Sequence, residues 1–380
     1  MKKVAFVIPW FGESIPGGAE SLCRDTAVRL KKEKVNVEII TTCIKEFNSD
    51  WDTNFWEERC YEELNLPIRR FSIEKTNRKE FDAVNYKLMN NIEITKEEEE
   101  IYINNLFRSN NLINYLREHD QEYLYFFIPY MFPSTYYGII NSTHSYLIPC
   151  LHDESYAYMN IFKLMFKHAK AILYLSPAEM KIAEKIYKIE KSKCIIIGAG
   201  VNTNIHTIQN KNDSQYILYA GRKDKNLDQL ITYFLQYLQA NKNDLRLLLI
   251  GPGKINILSE KVIDKGYVST EEKYNLMANS LFLCQPSTKE SFSIVMMESW
   301  VCQRPVLVHE DCLVTKEHCI ESNGGLWFKD YFSFEACCNY FLNNPPQANL
   351  LGLNGKAYVK KNYDWNVVIK KYLELIANAD

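Results

Sequence analysis

Paired cysteine spacing is absent from this chain: none of its eleven cysteines falls in a Cys-x-x-Cys pair, and the number is odd. A disulfide framework or a zinc ribbon needs such pairs. The cysteines therefore read as reduced thiols, packed as small apolar residues in contexts such as Leu283-Cys284 and Val301-Cys302. No apolar run approaches the ~18 residues of a membrane span. The opening run VAFVIPWF is short for a signal-peptide core, and no small-residue cleavage site follows, so no secretory leader is expected. Net charge is only -2, from 45 Lys+Arg against 47 Asp+Glu, which leaves no global electrostatic case for nucleic-acid binding. No His, Cys and Asp cluster has metal-ligand spacing. No internal repeat of about 20–50 residues emerges.

What is present is a globular composition, 47% hydrophobic and 24% charged over 380 residues, enough for two ordinary domains or one large one. Short apolar runs alternate with helical spacing, twice. Val4 to Trp10 reads as a buried parallel strand, followed by a glycine loop, a helix from Ala19 to Lys32 and a strand from Val35 to Thr42, a right-handed βαβ unit. Residues 51–120 read as polar and mostly helical, with the run Glu97 to Glu100 as a solvated helix face. Further strands are expected at Tyr123 to Ile128, Tyr146 to Leu151 and Ala171 to Leu175, and Cys194 to Gly198 closes the first half. Asn202 to Ser214 is polar without hydrophobic period and is the candidate linker. The alternation restarts with strands at Tyr216 to Ala220, Leu245 to Ile250, Gly266 to Val268, Leu281 to Gln285 and Pro305 to Val308. Helices are expected between them, including Phe292 to Cys302. The expected domains are residues 1–205, residues 206–362, and a C-terminal helix, 363–380, packing back toward the first.

Four elements carry chemistry. Pro16-Gly17-Gly18-Ala19-Glu20 lies at a strand-to-helix turn, where glycines let backbone approach a ligand and free N–H groups meet an anion; glycines there are as often steric. Arg222 and Lys225 leave the carboxyl end of the first strand of the second half, where two cations would suit two phosphates; the bland alternative is a solvated loop. Glu290-Ser291-Phe292-Ser293 precedes an apolar helix containing Glu298, so two carboxylates with seven residues between them flank a positive helix start. A charged Glu298 in so apolar a helix needs a partner, and a ribose diol would serve. His152-Asp153-Glu154 ends a strand and turns a histidine toward a ligand. The remaining histidines sit in polar or helix-end contexts, or, like His144, before a strand. Gly251-Pro252-Gly253 lacks the third glycine of a dinucleotide fingerprint and follows a second strand, so NAD is not expected.

Together these elements resemble a retaining glycosyltransferase of family 4. The resemblance implies an α/β fold of the GT-B type, two Rossmann-like doubly wound parallel-sheet domains facing each other across a cleft. It runs through PGGAE, HDE, GAGVN, GRKDKN and ESFSIVMMESWVCQRPV, and the Glu-x7-Glu element with Arg304-Pro305-Val306 is its most specific part. LIPCLHDESYAY and SNGGLWF are more distantly similar to bacterial polysaccharide and O-antigen mannosyltransferases. The resemblance implies that Arg222 and Lys225 hold the donor diphosphate and that Glu298 binds the ribose hydroxyls. Glu290 would contact the transferred sugar, with the backbone of Ser291, Phe292 and Ser293 beside it. Gly17 and Gly18 would close over the phosphate, His152 would meet the sugar near the reacting carbon, and Tyr267-Val268 would grip the base. Many members have glycine where Ser293 stands, so a side chain there would narrow the space beside the donor.

The activity implied is transfer of a hexose, mannose by preference, from a nucleotide sugar to a saccharide or lipid-linked saccharide in surface polysaccharide synthesis. GDP-mannose is favoured over a UDP-sugar, and no metal is needed because the cations replace it. The aromatic loop beyond Pro129, with Tyr130, Phe132, Tyr136 and Tyr137, is the candidate acceptor platform. Lysines between Phe162 and Lys193 form either a solvated face or a basic face for anionic lipid, so the expected location is cytoplasmic, free or peripheral at the inner face of the membrane. A sugar-nucleotide epimerase or phosphorylase on the same fold, and a non-catalytic carbohydrate-binding relative, stay open as alternatives.

Overall fold

In a computed structural model the chain folds into two α/β units; residues 2–13, 15, 17–208, 215–223, 226–256 and 259–379 are described. The first unit comprises Met1–Ala199 and Val368–Asp380, and the second Gly200–Val367. Sequence alone suggested a division near residue 205 and a C-terminal helix starting near 363.

The first unit holds an eight-stranded sheet: β1 (Lys3–Val7), β2 (Val37–Thr42), β3 (Cys60–Glu63), β4 (Leu66–Phe71), β5 (Tyr123–Phe127), β6 (Ser145–Leu147), β7 (Ala171–Tyr174) and β8 (Cys194–Ile196). Their order is β3-β4-β2-β1-β5-β6-β7-β8, all parallel except the β3–β4 pair. Central strands are apolar along their whole length because helices cover both faces. Val4, Ala5, Phe6 and Val7 are fully buried. Phe6 stacks on Phe126, with ring centroids 5.3 Å apart, and Tyr372 of the last helix, Trp365–Ala377, packs on both rings.

The β3–β4 hairpin lies inside the stretch read from sequence as helical. Its two-residue turn, Leu64-Asn65, has both φ angles positive, at 56° and 59°. This is the backbone twist that hairpins favour, but it is usually signalled by Asn-Gly, and Leu-Asn hides it. Arg70 of β4 is 1% exposed. It donates to the carbonyls of Phe11 and Thr42 and to the Tyr61 hydroxyl. The acidic run is likewise only partly a solvated face. Glu99 is buried and accepts from the N–H groups of Asn160 and Ile161, capping the helix Asn160–His168.

The second unit holds six parallel strands: β9 (Tyr216–Ala220), β10 (Arg246–Ile250), β11 (Val262–Asp264), β12 (Leu283–Gln285), β13 (Val306–His309) and β14 (Gly325–Phe328), in the order β11-β10-β9-β12-β13-β14. Leu247 and Leu249 of β10, with Ile217 and Tyr219 of β9, face a core that includes Phe234, Phe282, Phe334 and Phe341. Two differences from the sequence reading stand out. The strand expected at Gly266 to Val268 is instead Val262–Asp264, since Gly266 is left-handed (φ 66°) and ends it. The edge strand β14, in Gly-Gly-Leu-Trp-Phe, was not foreseen; a Cβ at Gly325 would lie 2.5 Å from the Val306 carbonyl oxygen. All eleven cysteines are free thiols. No described helix is long and apolar enough to cross a membrane.

Candidate functional site

The polar candidates of each unit gather where its parallel strands end. In the second unit the turns after β9 and β10 lie against one another. The Gly221 N–H donates to the Ile250 carbonyl, and the Lys223 N–H to the Pro252 carbonyl. Only glycine permits this approach. Gly221 and Gly251 have φ of 153° and 122°, and a Cβ on Gly251 would stand 2.2 Å from the Gly221 oxygen. Gly251-Pro252-Gly253 is thus a close-packing device.

Arg222 is exposed at this junction and lines a 270 Å³ cavity with Lys223, Pro252, Gly253 and Lys254. Lys225, expected beside it, lies outside the described residues. Lys223 is occupied, its Nζ 2.5 Å from Asp264 and 3.1 Å from the Gly253 carbonyl. Lys254 was not singled out from sequence, since a lone lysine after a glycine carries no signal. Tyr267 stands 80% exposed just past β11, with Val268 half-buried next to it. The backbone of Gly266 receives the Gly251 N–H, which ties this segment to the same junction.

The second carboxylate element starts a helix, as expected, but later than foreseen, at Ile294–Val301. Glu290 is 9% exposed before it. Ser291 is half-buried, and Phe292 turns inward against the rings of His318 and Tyr363, so only its backbone is available to a ligand. Ser293 is left-handed, with φ 67°, and its buried hydroxyl has no hydrogen-bond partner. This backbone is the reason glycine suits the position. The Ser293 side chain is enclosed rather than lining open space, which corrects the expectation that it narrows a donor pocket.

Glu298 is 7% exposed on the same helix. Its Oε1 accepts from Lys273 Nζ at 2.5 Å and from the Tyr274 hydroxyl at 3.1 Å, while Oε2 is buried without a partner. Lys273 and Tyr274 were missed in the sequence because they lie about 25 residues away, on the helix Thr270–Asn279. His318, read as a helix-end residue, is buried, and burial pushes its pKa down to about 3. Neutral and packed on Phe292, it is structural.

In the first unit His152 follows β6. Its Nδ1 is 3.6 Å from Glu154 Oε1, which also accepts from the Tyr130 hydroxyl at 3.3 Å. A carboxylate facing Nδ1 leaves the other ring nitrogen for a ligand. The glycine turn behaves differently from expectation. Gly17 has φ 151°, and a Cβ on it would lie 1.9 Å from the Glu20 carboxylate, which is held by Trp10 Nε1 at 2.7 Å. A negative charge of the chain's own therefore already stands in the first turn of the helix Gly18–Lys32, whereas Gly18 faces open space.

The aromatic acceptor platform is corrected in part. Tyr130 and Phe132 are 1% and 5% exposed. Tyr130 packs on Phe162, and Phe132 on Trp10 and Phe107. Both belong to the core, because the loop after Pro129 folds inward. Tyr136 and Tyr137 are half-buried, Tyr137 bonding Asn104 beneath the Arg108 guanidinium. Among the described residues no three His, Cys, Asp or Glu side chains are grouped to hold a metal ion.

Comparison with known proteins bears on the fold and on the second unit. Residues 201–358 match the family described as glycosyl transferases group 1. An uncharacterized glycosyltransferase of Methanocaldococcus jannaschii, MJ1178, is 28% identical over 201 residues, 49% of this chain. The match spans about half of that relative, 55% of its length. HepE of Anabaena, solved with UDP and glucose, superposes with a TM-score of 0.71 at 13% identity, over 99% of this chain and 100% of its own. Sucrose-phosphate synthase from Thermosynechococcus elongatus gives 0.72 at 15% identity, over 100% and 99%. At such identities these likenesses speak to fold.

Replacing Ser293 by glycine should relieve both the left-handed backbone and the unpartnered buried hydroxyl. The expected result is a stabilisation of about 1 kcal/mol, read from equilibrium urea unfolding; a loss of stability would show that the hydroxyl has a partner. The fold is GT-B, and residues 201–358 match a glycosyl transferases group 1 domain.

Proposed function

We propose that this chain is a retaining glycosyltransferase that moves a hexose from a nucleoside-diphosphate sugar to a saccharide or glycolipid acceptor of a surface polysaccharide. The observation that carries this reading is Glu298. A buried carboxylate with one oxygen engaged by Lys273 and Tyr274 and the other without a partner is an expensive arrangement, and a ribose diol would satisfy it. The match of the surrounding domain to glycosyl transferases group 1 supports the same assignment. Arg222, at its exposed cavity, and Lys225 neutralise the diphosphate as it leaves, and the N–H groups at the Ile294 helix start add partial positive charge. Glu290 contacts the transferred sugar, His152 meets it near the reacting carbon, Gly18, which faces open space, closes over the phosphate, and Tyr267-Val268 hold the base.

The departing phosphate oxygen takes the acceptor proton, so the acceptor attacks from the face the diphosphate leaves. No side-chain base on the opposite face is required. The sequence favours mannose from GDP-mannose. A UDP-hexose is the second reading, favoured by the UDP-glucose bound in HepE. Acceptor contact falls to Tyr136 and Tyr137 rather than the buried pair, and the exposed Lys163, Lys167 and Lys188 suit an anionic lipid surface where the acceptor is lipid-linked.

Glu298→Gln should weaken nucleoside-diphosphate binding by about 1.5–3 kcal/mol in titration calorimetry, as expected for a hydrogen bond to a charged group. Glu290→Gln should leave that affinity almost intact while reducing turnover about 10²-fold. Equal effects of the two substitutions on nucleotide binding would dissolve the division of roles. Turnover should survive excess EDTA; complete loss that magnesium or manganese restores would refute a purely side-chain electrostatic site. With a screen of GDP- and UDP-sugars to identify the donor, NMR of the product anomeric proton should show the donor's own configuration. A β-linked product from an α-linked donor would overturn the mechanism.

A further inference from the structure

Glu179 is fully buried on the helix Pro177–Tyr187, yet it stands in the sequence as an ordinary helical glutamate. Ser176 caps that helix by accepting the Glu179 N–H at 3.1 Å. In a capping box the Glu179 carboxylate would return to the Ser176 N–H. It does not. Oε1 accepts the Leu151 N–H at 2.6 Å and Oε2 accepts the Leu175 N–H at 2.5 Å. One carboxylate thus clamps the segment leaving β6 to the segment leaving β7, and Leu151 immediately precedes His152.

That segment has need of a clamp. Cys150 is held in the left-handed region, with φ 52°, with no glycine to ease it. Two backbone donors converging on one side chain require two acceptor oxygens, so a carboxylate fits where glutamine would leave one donor facing an amide. We infer that Glu179 is a positioning residue for His152: it sets the backbone from which the imidazole projects, while Glu154 orients the ring. The inference takes the role of His152 from the reading above, but the clamp itself is independent of it.

The clamp depends on pH. Burial pushes the Glu179 carboxyl up to about 8, against the two N–H bonds, which pull it down. The ionisable groups facing it are Cys150 from the β6 segment and Tyr174 from β7, both kept neutral by burial. Around His152 the facing group is Glu154. Below pH 8 the protonated carboxyl offers one good acceptor; above it both oxygens accept fully, so the setting of His152 tightens as pH rises.

The test uses the full chain and Glu179→Gln. In the wild type, long-range proton–nitrogen NMR of the His152 ring, assigned from its loss in His152→Asn, should show an inflection near pH 8 that follows Glu179. A wild-type titration without it overturns the proposal, whether or not any donor is turned over. In Glu179→Gln that inflection should vanish. In the variant kcat should fall ten-fold or more, since small misplacements of a contact residue cost up to about 10²-fold, and its rise toward pH 8 should disappear. The nucleoside-diphosphate affinity, assigned above to Arg222, Lys225 and Glu298 of the second unit, should stay within about two-fold of wild type. A variant that binds nucleotide normally and retains wild-type kcat and pH profile refutes the positioning role. Absence of transfer by the wild type with every donor would count against the glycosyltransferase reading instead, leaving the ring titration to decide the clamp.

Discussion

A parallel sheet covered on both faces by helices can present polar chemistry only where its strands stop, because everywhere else the pleat is buried in apolar contacts. Both units of this protein obey that constraint. Leu218, Leu247 and Leu307 are fully enclosed, while Arg222, Lys254, Tyr267 and Glu290 all follow the carboxyl ends of β9, β10, β11 and β12. His152 follows β6 in the same way. The glycines at 221 and 251 serve this layout, letting two strand-end turns meet closely enough for backbone bonds between them.

Buried charge is handled by one recurring solution. Carboxylates inside the protein are aimed at backbone N–H groups or at cations, so that little polar capacity is left over. Glu99 caps a neighbouring helix, Glu179 clamps two strand ends, and Glu38 is shared among Lys3, Arg69 and Tyr123. Glu298 departs from the pattern, with one oxygen satisfied and one not. Under the proposed function, a ligand hydroxyl supplies the partner that this oxygen lacks.

The alternation of apolar runs, the polar stretch near residue 205 and the Glu290–Glu298 spacing were legible in the linear chain, because each is a local or periodic property: strand burial, loss of period, and helix pitch. The strand-end positions of Arg222, His152 and Glu290 could be read from it for the same reason, since residues just past an apolar run in an α/β chain stand at strand ends. Local pattern also misled. Glu99 reads as a surface charge, and the Leu64-Asn65 turn escaped notice because its left-handed geometry carries no glycine.

What only the tertiary structure decided is which groups meet. Whether an aromatic is platform or core depends on the element folded over it, and Tyr130 and Phe132 went to the core. Partners on different elements, such as Lys273 with Glu298 or Leu151 with Glu179, have no spacing rule that could pair them in advance. The chain itself determined two largely parallel sheets and where their strands end, since burial and periodicity act over a few residues. Folding in three dimensions determined which charges are satisfied and which oxygen is left without a partner, since that depends on contacts between residues far apart in sequence.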